Sequence, residues 1–426
     1  MVLKKFSSSL LLLLVLLSGC GGGGDGTSDP SPSVANVQLT TSTQVAPVTV
    51  VTPVVVNPFQ TPAKLQHDKH RLAIIDYRFD PPASNKNING HHTTSFEAVK
   101  PMIDKSKAIG FTGILLTLQI PVNIKTGLVA YYDQPPNIKT LPKDLWKVVE
   151  YAKNNDMQVW LSLGMVDSIT DGWAPIKFDK FSEQFLFNNL IEAEKSIAIT
   201  AQKYKVDGIY VGGCSWGLES HEHVHYWKQL IDQVKTVFAG KLGYNTCIIT
   251  DTPIWNYVDY VSIFLVSSLS KTPVYDLKTI VGLYNKNIHG IDEVAALKQL
   301  HKKYGKKLIL FAGIKKADTG VGVEPPGFWD MMFTGAWEQK SVHVDQRTYL
   351  LKTQAFIEMI HRSLPDITDG MAFNEFAPWL EEVTFTKPNN PVYIYYCCSW
   401  NLTHDLDVQK TLNYYFSKPW GHTTLQ

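Results

Sequence analysis

Short apolar runs recur along most of the chain, each separated from the next by a longer stretch of helical period. The first, Leu72-Ala73-Ile74-Ile75, lies between Arg71 and Asp76 and reads as a buried strand. Similar runs over 113–118, 159–163, 209–211, 242–245, 260–266, 308–312 and 370–373 predict seven more strands. Between them, apolar residues spaced three and four apart predict helices over 95–109, 141–155, 181–204, 221–238, 291–304 and 345–363, the first with Ser95 as its N-cap. Eight buried strands alternating with helices predict the α/β class and a (β/α)8 TIM barrel. A doubly wound sheet would also alternate, but no Gly-rich phosphate loop follows the first strand. After Trp379 the rhythm changes. Val383-Thr384-Phe385 and the run 392–400 flank Pro388-Asn389-Asn390 as a β-hairpin, and a last helix is predicted over 408–416. Together they form a small C-terminal β-hairpin/helix elaboration.

Residues 1–20 stand outside this rhythm. Lys4-Lys5 precede an apolar stretch over 9–17, and Leu17-Ser18-Gly19-Cys20 closes it with small residues before a cysteine. The stretch is too short to span a bilayer as a resident helix. It resembles a bacterial lipoprotein signal, which implies cleavage before Cys20, lipidation of the Cys20 thiol and a membrane partner reached through that lipid anchor. Gly21 stands where the inner-membrane retention signal has Asp, so the resemblance implies the outer membrane of a bacterial cell envelope. An ordinary cleaved signal with a chance cysteine is the alternative. Residues 21–64 are rich in Gly, Ser, Pro and Thr and are expected to be a disordered tether, leaving 65–426 as the barrel domain.

Composition narrows the partners. A net charge of +1 and the lack of a basic run give no reason to expect nucleic acid. Aromatic residues make up 12%, which suits a sugar-binding cleft as well as ordinary packing. Beyond Cys20 there are Cys214, Cys247, Cys397 and Cys398; a Cys214–Cys247 disulfide and free buried thiols are both compatible with the envelope.

In such a barrel the chemistry gathers where the strands end. The first strand leads to Asp76, Tyr77 and Arg78, the second to Gln119, and the third to Asp167, Asp171 and Trp173. Cys214, Trp216 and Glu219 follow the fourth, with Asn245, Asp251 and Trp255 after the fifth. Ser267 and Ser268 follow the sixth, Lys315, Lys316 and Asp318 the seventh, and Asn374, Glu375 and Trp379 the eighth. Carboxylates beside tryptophans suit a polysaccharide or oligosaccharide ligand. Indole faces stack on sugar rings, while carboxylates protonate the glycosidic oxygen and attack or stabilise the anomeric carbon. No cofactor is expected. Any single carboxylate here, taken alone, reads better as a solvated loop charge or a helix cap. One other pattern is His221-Glu222-His223-Val224-His225, which satisfies H-E-x-x-H and on one helix face could hold zinc. His91-His92 sits in an Asn/Gly-rich loop after the first strand and reads as an exposed pair.

The segment 71–380 is similar to the (β/α)8 β-mannanases of glycoside hydrolase family 113. The residues that carry this are VWLSLGMVDSITDGWAPI over 159–176, HYWKQLIDQVKTVFAGKLGYN over 225–245, VDYVSI over 258–263 and YGKKLILFAGI over 304–314. The resemblance implies an acid/base Glu after strand four in a Gly-Thr-Glu-Leu pattern and a nucleophile Glu after strand seven in a Phe-Thr-Glu-Ile-Gly pattern. The matching runs here are Gly212-Gly213-Cys214-Ser215 and Phe311-Ala312-Gly313-Ile314, and neither supplies the acid. Three readings stay open. The first is an envelope-anchored hydrolase with a relocated pair, Glu219 as acid and Glu375 or Asp76 as partner. Tyr77, Arg78, Trp173, Trp216, Asn245, Trp255, Asn374 and Trp379 would then contact the sugar. The second is a non-catalytic glycan-binding protein on the same barrel, and the third a zinc-dependent hydrolase built on the histidine run.

Overall fold

The computed structural model describes residues 68–76, 96–123, 125–129, 144–167, 181–213, 218–246, 249–265, 269–270, 274–313, 346–376 and 405–425. All lie in one compact unit, Val55–Gln426. The expected signal and tether over 1–64 and the hairpin around Pro388 lie outside the described residues.

Eight strands close a parallel barrel in sequence order. They are β1 (His70–Asp76), β2 (Gly113–Val122), β3 (Gln158–Asp167), β4 (Gly208–Gly213), β5 (Lys241–Thr246), β6 (Tyr260–Leu265), β7 (Leu308–Ala312) and β8 (Thr368–Phe376). β8 pairs back onto β1, His70 opposite Gly370, so no strand edge is left open. The helices are α1 (Phe96–Ile109), α2 (Leu145–Asn154), α3 (Glu183–Lys203), α4 (Val224–Lys235), α5 (Leu277–Leu283), α6 (Glu293–Tyr304), α7 (Gln346–Ser363) and α8 (Leu406–Phe416). Four of these starts follow the capping rule. The side chains of Ser182, Asp276, Asp292 and Asp405 accept from Phe185, Thr279, Ala295 and Val408 backbone N–H groups, satisfying donors that the first helical turn leaves orphaned.

Alternation along each strand separates two cores. Outward residues such as Ile114, Leu116, Val159, Leu161, Ile209 and Val211 pack against the helices, while Leu72, Ile74, Leu115, Trp160, Tyr210, Phe264, Ile309, Phe311 and Ala372 fill the barrel. Two of the inward rings are large, and each faces a glycine. A Cβ on Gly208 would lie 2.3 Å from the Trp160 ring, and one on Gly243 would lie 2.3 Å from the Tyr210 ring. At the amino-terminal end His70 closes the barrel, with Nδ1 2.7 Å from Gln158 Oε1 and Nε2 3.2 Å from the Tyr260 hydroxyl. Burial there pushes the Tyr260 hydroxyl up to about 12, so it stays protonated.

The eight strands and the seven expected helices are all present, with four differences. β2, β3, β4 and β8 run further than their apolar cores, taking in Gln119, Asp167, Gly212-Gly213, and Asn374 and Glu375. The helix expected from His221 begins as a 3-10 turn, His221–His223, and becomes α-helical at Val224. The sixth crossover carries α5 as well as the expected α6, while the fifth, where no helix is expected, holds a 3-10 turn, Pro253–Asn256. Finally, the helix of the C-terminal elaboration packs between α7 and α1, in the ring position that a barrel gives to its eighth helix. Arg71 at the start of β1 donates to the Phe416 carbonyl at 2.8 Å, and Asn413 donates to the Ile109 carbonyl at 3.0 Å. Glu358 of α7 accepts from the Tyr415 hydroxyl and the Thr424 N–H, both at 2.6 Å. The chain end therefore ties the first unit of the barrel to the last.

One buried group is out of keeping with its surroundings. Glu194 lies on the packed face of α3 with Leu190, Ile197 and Ala198, and its Oε2 has no hydrogen-bond partner. Burial raises its carboxyl well above the ordinary 4.5. Below the unfolded value both states hold the proton; as pH rises above it, the unfolded chain ionises and the folded one resists, so stability falls. Glu194→Gln should therefore be more stable than wild type at pH 7. The difference should shrink towards zero below about pH 4.5, read from urea denaturation at several pH values.

Candidate active site

The carboxyl ends of the strands form the mouth, and two of them carry a register shift. On β4, Tyr210 pairs with Gly243 and Gly213 with Asn245, so Val211 and Gly212 share the single partner Tyr244. Gly212 has φ +80, and a Cβ there would strike Trp227 of α4 at 2.5 Å; only glycine fits both demands. This bulge returns Gly213 to the inward row beside Asn245. On β8, Phe373 pairs with Ala73 and Phe376 with Ile75, so Asn374 and Glu375 both stand opposite Ile74, a barrel-interior position. Asp76 is the last residue of β1 and pairs with Thr117.

The floor of the mouth is formed by the upper inward side chains. Ile74, Phe264 and Phe311 belong to the barrel core, and Phe264 keeps 9% exposure. Asn245 keeps 7%, and its Oδ1 has no hydrogen-bond partner. β7 ends at Ala312, and Gly313 follows, its N–H donating to the Leu265 carbonyl at 3.1 Å.

Two expected site residues lie on the helix side of the barrel. Trp255 is fully buried, donates from Nε1 to the Tyr244 carbonyl at 3.2 Å, and meets Tyr304 edge-on. Its ring is packing between β5 and α6, not a platform in the cleft. Glu219 is half-buried. Its Oε1 accepts from the Tyr244 hydroxyl at 3.3 Å, and its carbonyl accepts from Thr252 Oγ1 at 3.0 Å. Tyr244 points outward and packs on Trp227, whose Nε1 donates to the Leu218 carbonyl. The strap at 218–219 is thus fastened over the helix layer, and the Glu219 carboxylate goes with it. Asp251 is likewise held outside, by Lys303 and the Tyr304 hydroxyl. Burial raises its pKa, but those two hydrogen bonds outweigh it, and the net shift is downward.

The histidine run also resolves differently. His221 sits in the 3-10 turn and His225 on α4, so they do not share one continuous α-helical face. His223 is buried, with Nδ1 3.0 Å from Glu183 Oε2, and His225 is exposed beside Tyr226. Among the described residues, no three His, Cys, Asp or Glu side chains come together as metal ligands. Cys20, Tyr77, Arg78, His91, His92, Asp171, Trp173, Cys214, Trp216, Cys247, Ser267, Ser268, Lys315, Lys316, Asp318, Trp379, Cys397 and Cys398 lie outside the described residues. The pairing of Gly213 with Asn245 was not foreseen from sequence. The Gly212-Gly213 doublet, just past the strand expected over 209–211, was its only signal.

A closed parallel barrel with its polar residues at the carboxyl ends of the strands belongs to the class of (β/α)8 proteins that hold a ligand in the mouth. The sequence profile of Glycoside Hydrolase Family 113 matches residues 85–347. The chain belongs to that family, and is thereby a hydrolase-like protein of a glycan-acting family. Among solved structures it is similar to the GH113 β-mannanase AaManA from Alicyclobacillus acidocaldarius. That pair has 16% identity and a TM-score of 0.56, covering 83% of this chain and 98% of that one. It is also similar to a GH113 β-1,4-mannanase solved as a complex, with 12% identity and a TM-score of 0.55, covering 82% and 99%. A β-D-glucuronidase for Dictyoglomus thermophilum shares 11% identity at a TM-score of 0.50, over 82% of this chain and 50% of that one. At these identities the likeness is one of fold. No curated protein matches the sequence.

The position of Trp255 has a direct consequence. Trp255→Ala should lower the unfolding free energy by about 3–5 kcal/mol in urea denaturation, as for a large core side chain. A ring standing in the cleft would leave stability within about 0.5 kcal/mol of wild type.

Proposed function

We propose that this protein binds a neutral glycan in the barrel mouth and does not cleave it by the two-glutamate route of its family. The observation that carries this is the pair of strand ends. Where the resemblance puts an acid/base after strand four and a nucleophile after strand seven, this chain has Cys214 beside Gly213 and Gly313 beside Ala312. Glycoside hydrolysis of the retaining kind needs two carboxyl groups flanking the bond, and glycine supplies none. The first carboxylate after strand four is Glu219, and its bond to Tyr244 holds it over the helix layer. The floor, apolar at Ile74, Phe264 and Phe311 and polar at Asn245, supports binding.

A relocated pair is the second reading, and the β8 bulge is what favours it. The bulge sets Glu375 opposite Ile74, next along the sheet from the strand that ends in Asp76. In that reading Glu375 and Asp76 do the chemistry, and Glu219 joins them only by leaving Tyr244.

The anchoring of the protein rests on sequence. Lys4-Lys5, the apolar run and Leu17-Ser18-Gly19-Cys20 support lipidation at Cys20, and the stretch 21–64 supports a spacer between an outer membrane and the barrel.

The full chain, incubated with β-1,4-mannan and a panel of other β-linked polysaccharides, is expected to bind at least one of them and release no reducing ends. Release that disappears in Glu375→Gln or Asp76→Asn would replace the binding reading with the relocated pair. For the anchor, Cys20→Ala is expected to move the protein from the membrane pellet to the supernatant of fractionated cells. Retention in the pellet would sink the lipid anchor.

A further inference from the structure

At the mouth, two neighbouring residues have properties that packing does not use. Asn245 is 7% exposed, and its amide oxygen has no hydrogen-bond partner. Leaving a buried amide oxygen unmet is unfavourable, and such a group in a native structure calls for an explanation. Its register partner Gly213 is a glycine that the fold does not require. Gly213 is not among the residues with positive φ. A Cβ built there would meet the Asn245 Cβ and carbonyl oxygen at 3.5 Å and the amide nitrogen at 4.0 Å, all ordinary contacts. Gly208, Gly212 and Gly243 differ, because a Cβ on any of them would collide with a ring at 2.3–2.5 Å. A glycine in a strand often marks a bulge or a place where something else approaches the backbone closely, and since Gly212 takes up the bulge, Gly213 is left with the second.

We propose that Gly213 and Asn245 form a notch in the floor of the mouth that receives one sugar unit of a neutral glycan through a hydroxyl group. The notch rests on the glycan-binding reading above and deepens it. A sugar hydroxyl both donates and accepts, so it satisfies the Asn245 amide in either of its two flipped orientations. Phe264, inward on the next strand, offers an aromatic ring to the apolar face of the same sugar. The side chain that β4 lacks at Gly213 is what lets the ligand sit this low.

The test is calorimetric binding of β-1,4-mannohexaose, and of β-1,4-glucohexaose as a second neutral probe, to the full chain. Wild type is compared with Gly213→Ala and Asn245→Ala, with Tm recorded for each. The notch predicts that each variant weakens binding about tenfold, the loss of one good contact, while Gly213→Ala keeps the wild-type Tm. If Asn245→Ala fails to fold, Gly213→Ala carries the test alone, since its methyl group makes only ordinary contacts. Wild-type affinity retained in the folded variants would overturn the notch and leave the glycan-binding reading standing. Failure of wild type to bind either probe would overturn the notch as stated, and failure across the wider polysaccharide panel would overturn the binding reading with it.

Discussion

The space inside the barrel is the constraint on which the rest of this structure depends. Eight strands leave an interior only wide enough for side chains, and here two of the occupants are Trp160 and Tyr210. Each ring fits because the strand beside it presents glycine, Gly208 to the indole and Gly243 to the phenol. These contacts fix the phase of β3, β4 and β5 together. A one-residue slip of β3 or β4 would turn a large ring out and a branched chain in, and a slip of β5 would drive Leu242 or Tyr244 into the space that Gly243 leaves to Tyr210. The same contacts make the lower barrel solid, sealed beneath by His70, Gln158 and Tyr260. A ligand can therefore reach only the upper layer, above Phe264 and Phe311.

What differs at that layer is set by two bulges. The β4 bulge spends its extra residue at Gly212, where Trp227 of α4 comes close, and so brings Gly213 and Asn245 side by side. The β8 bulge sets two polar residues against one apolar neighbour. Both lie at the carboxyl ends of strands, where extra residues change what faces the mouth without disturbing the packed barrel below. The family's chemistry depends on side chains at such strand ends, so a chain can keep the barrel and change what its mouth does.

Glu219 and Trp255 show how near in sequence a residue can be to the mouth and still belong elsewhere. Both lie in segments that lead away from strand ends, and both are tied to Tyr244, whose side chain points towards the helices. Tyr244 acts as a post on the outer wall. Its hydroxyl takes Glu219, its carbonyl takes Trp255, and its ring rests on Trp227. The C-terminal helix shows the reverse. It reads as an appendage after a break in the rhythm, yet it completes the helix ring, because the gap between α7 and α1 needs an apolar face such as Val408, Leu412 and Tyr415 provide.

Most of the architecture is legible in the sequence. Strands buried on both faces must be continuously apolar, and the helices between them must be amphipathic, so the element order and the parallel barrel follow from the pattern, while the family shows only in particular runs such as 225–245 and 304–314. That criterion stops at polar residues, which is why β2, β3 and β8 appear short and why Gln119, Asn374 and Glu375 read as loop. Which way a residue faces after its strand is a different matter. Periodicity ends there, and the direction of Glu219, Trp255 or Asn245 is decided by contacts with Tyr244, Thr252, Tyr304 and Gly213, residues that come from other strands and helices. A bulge shifts the inward row by one place without leaving a mark in the hydrophobic pattern, so only the closed barrel, with its strands in register, could bring Gly213 to Asn245.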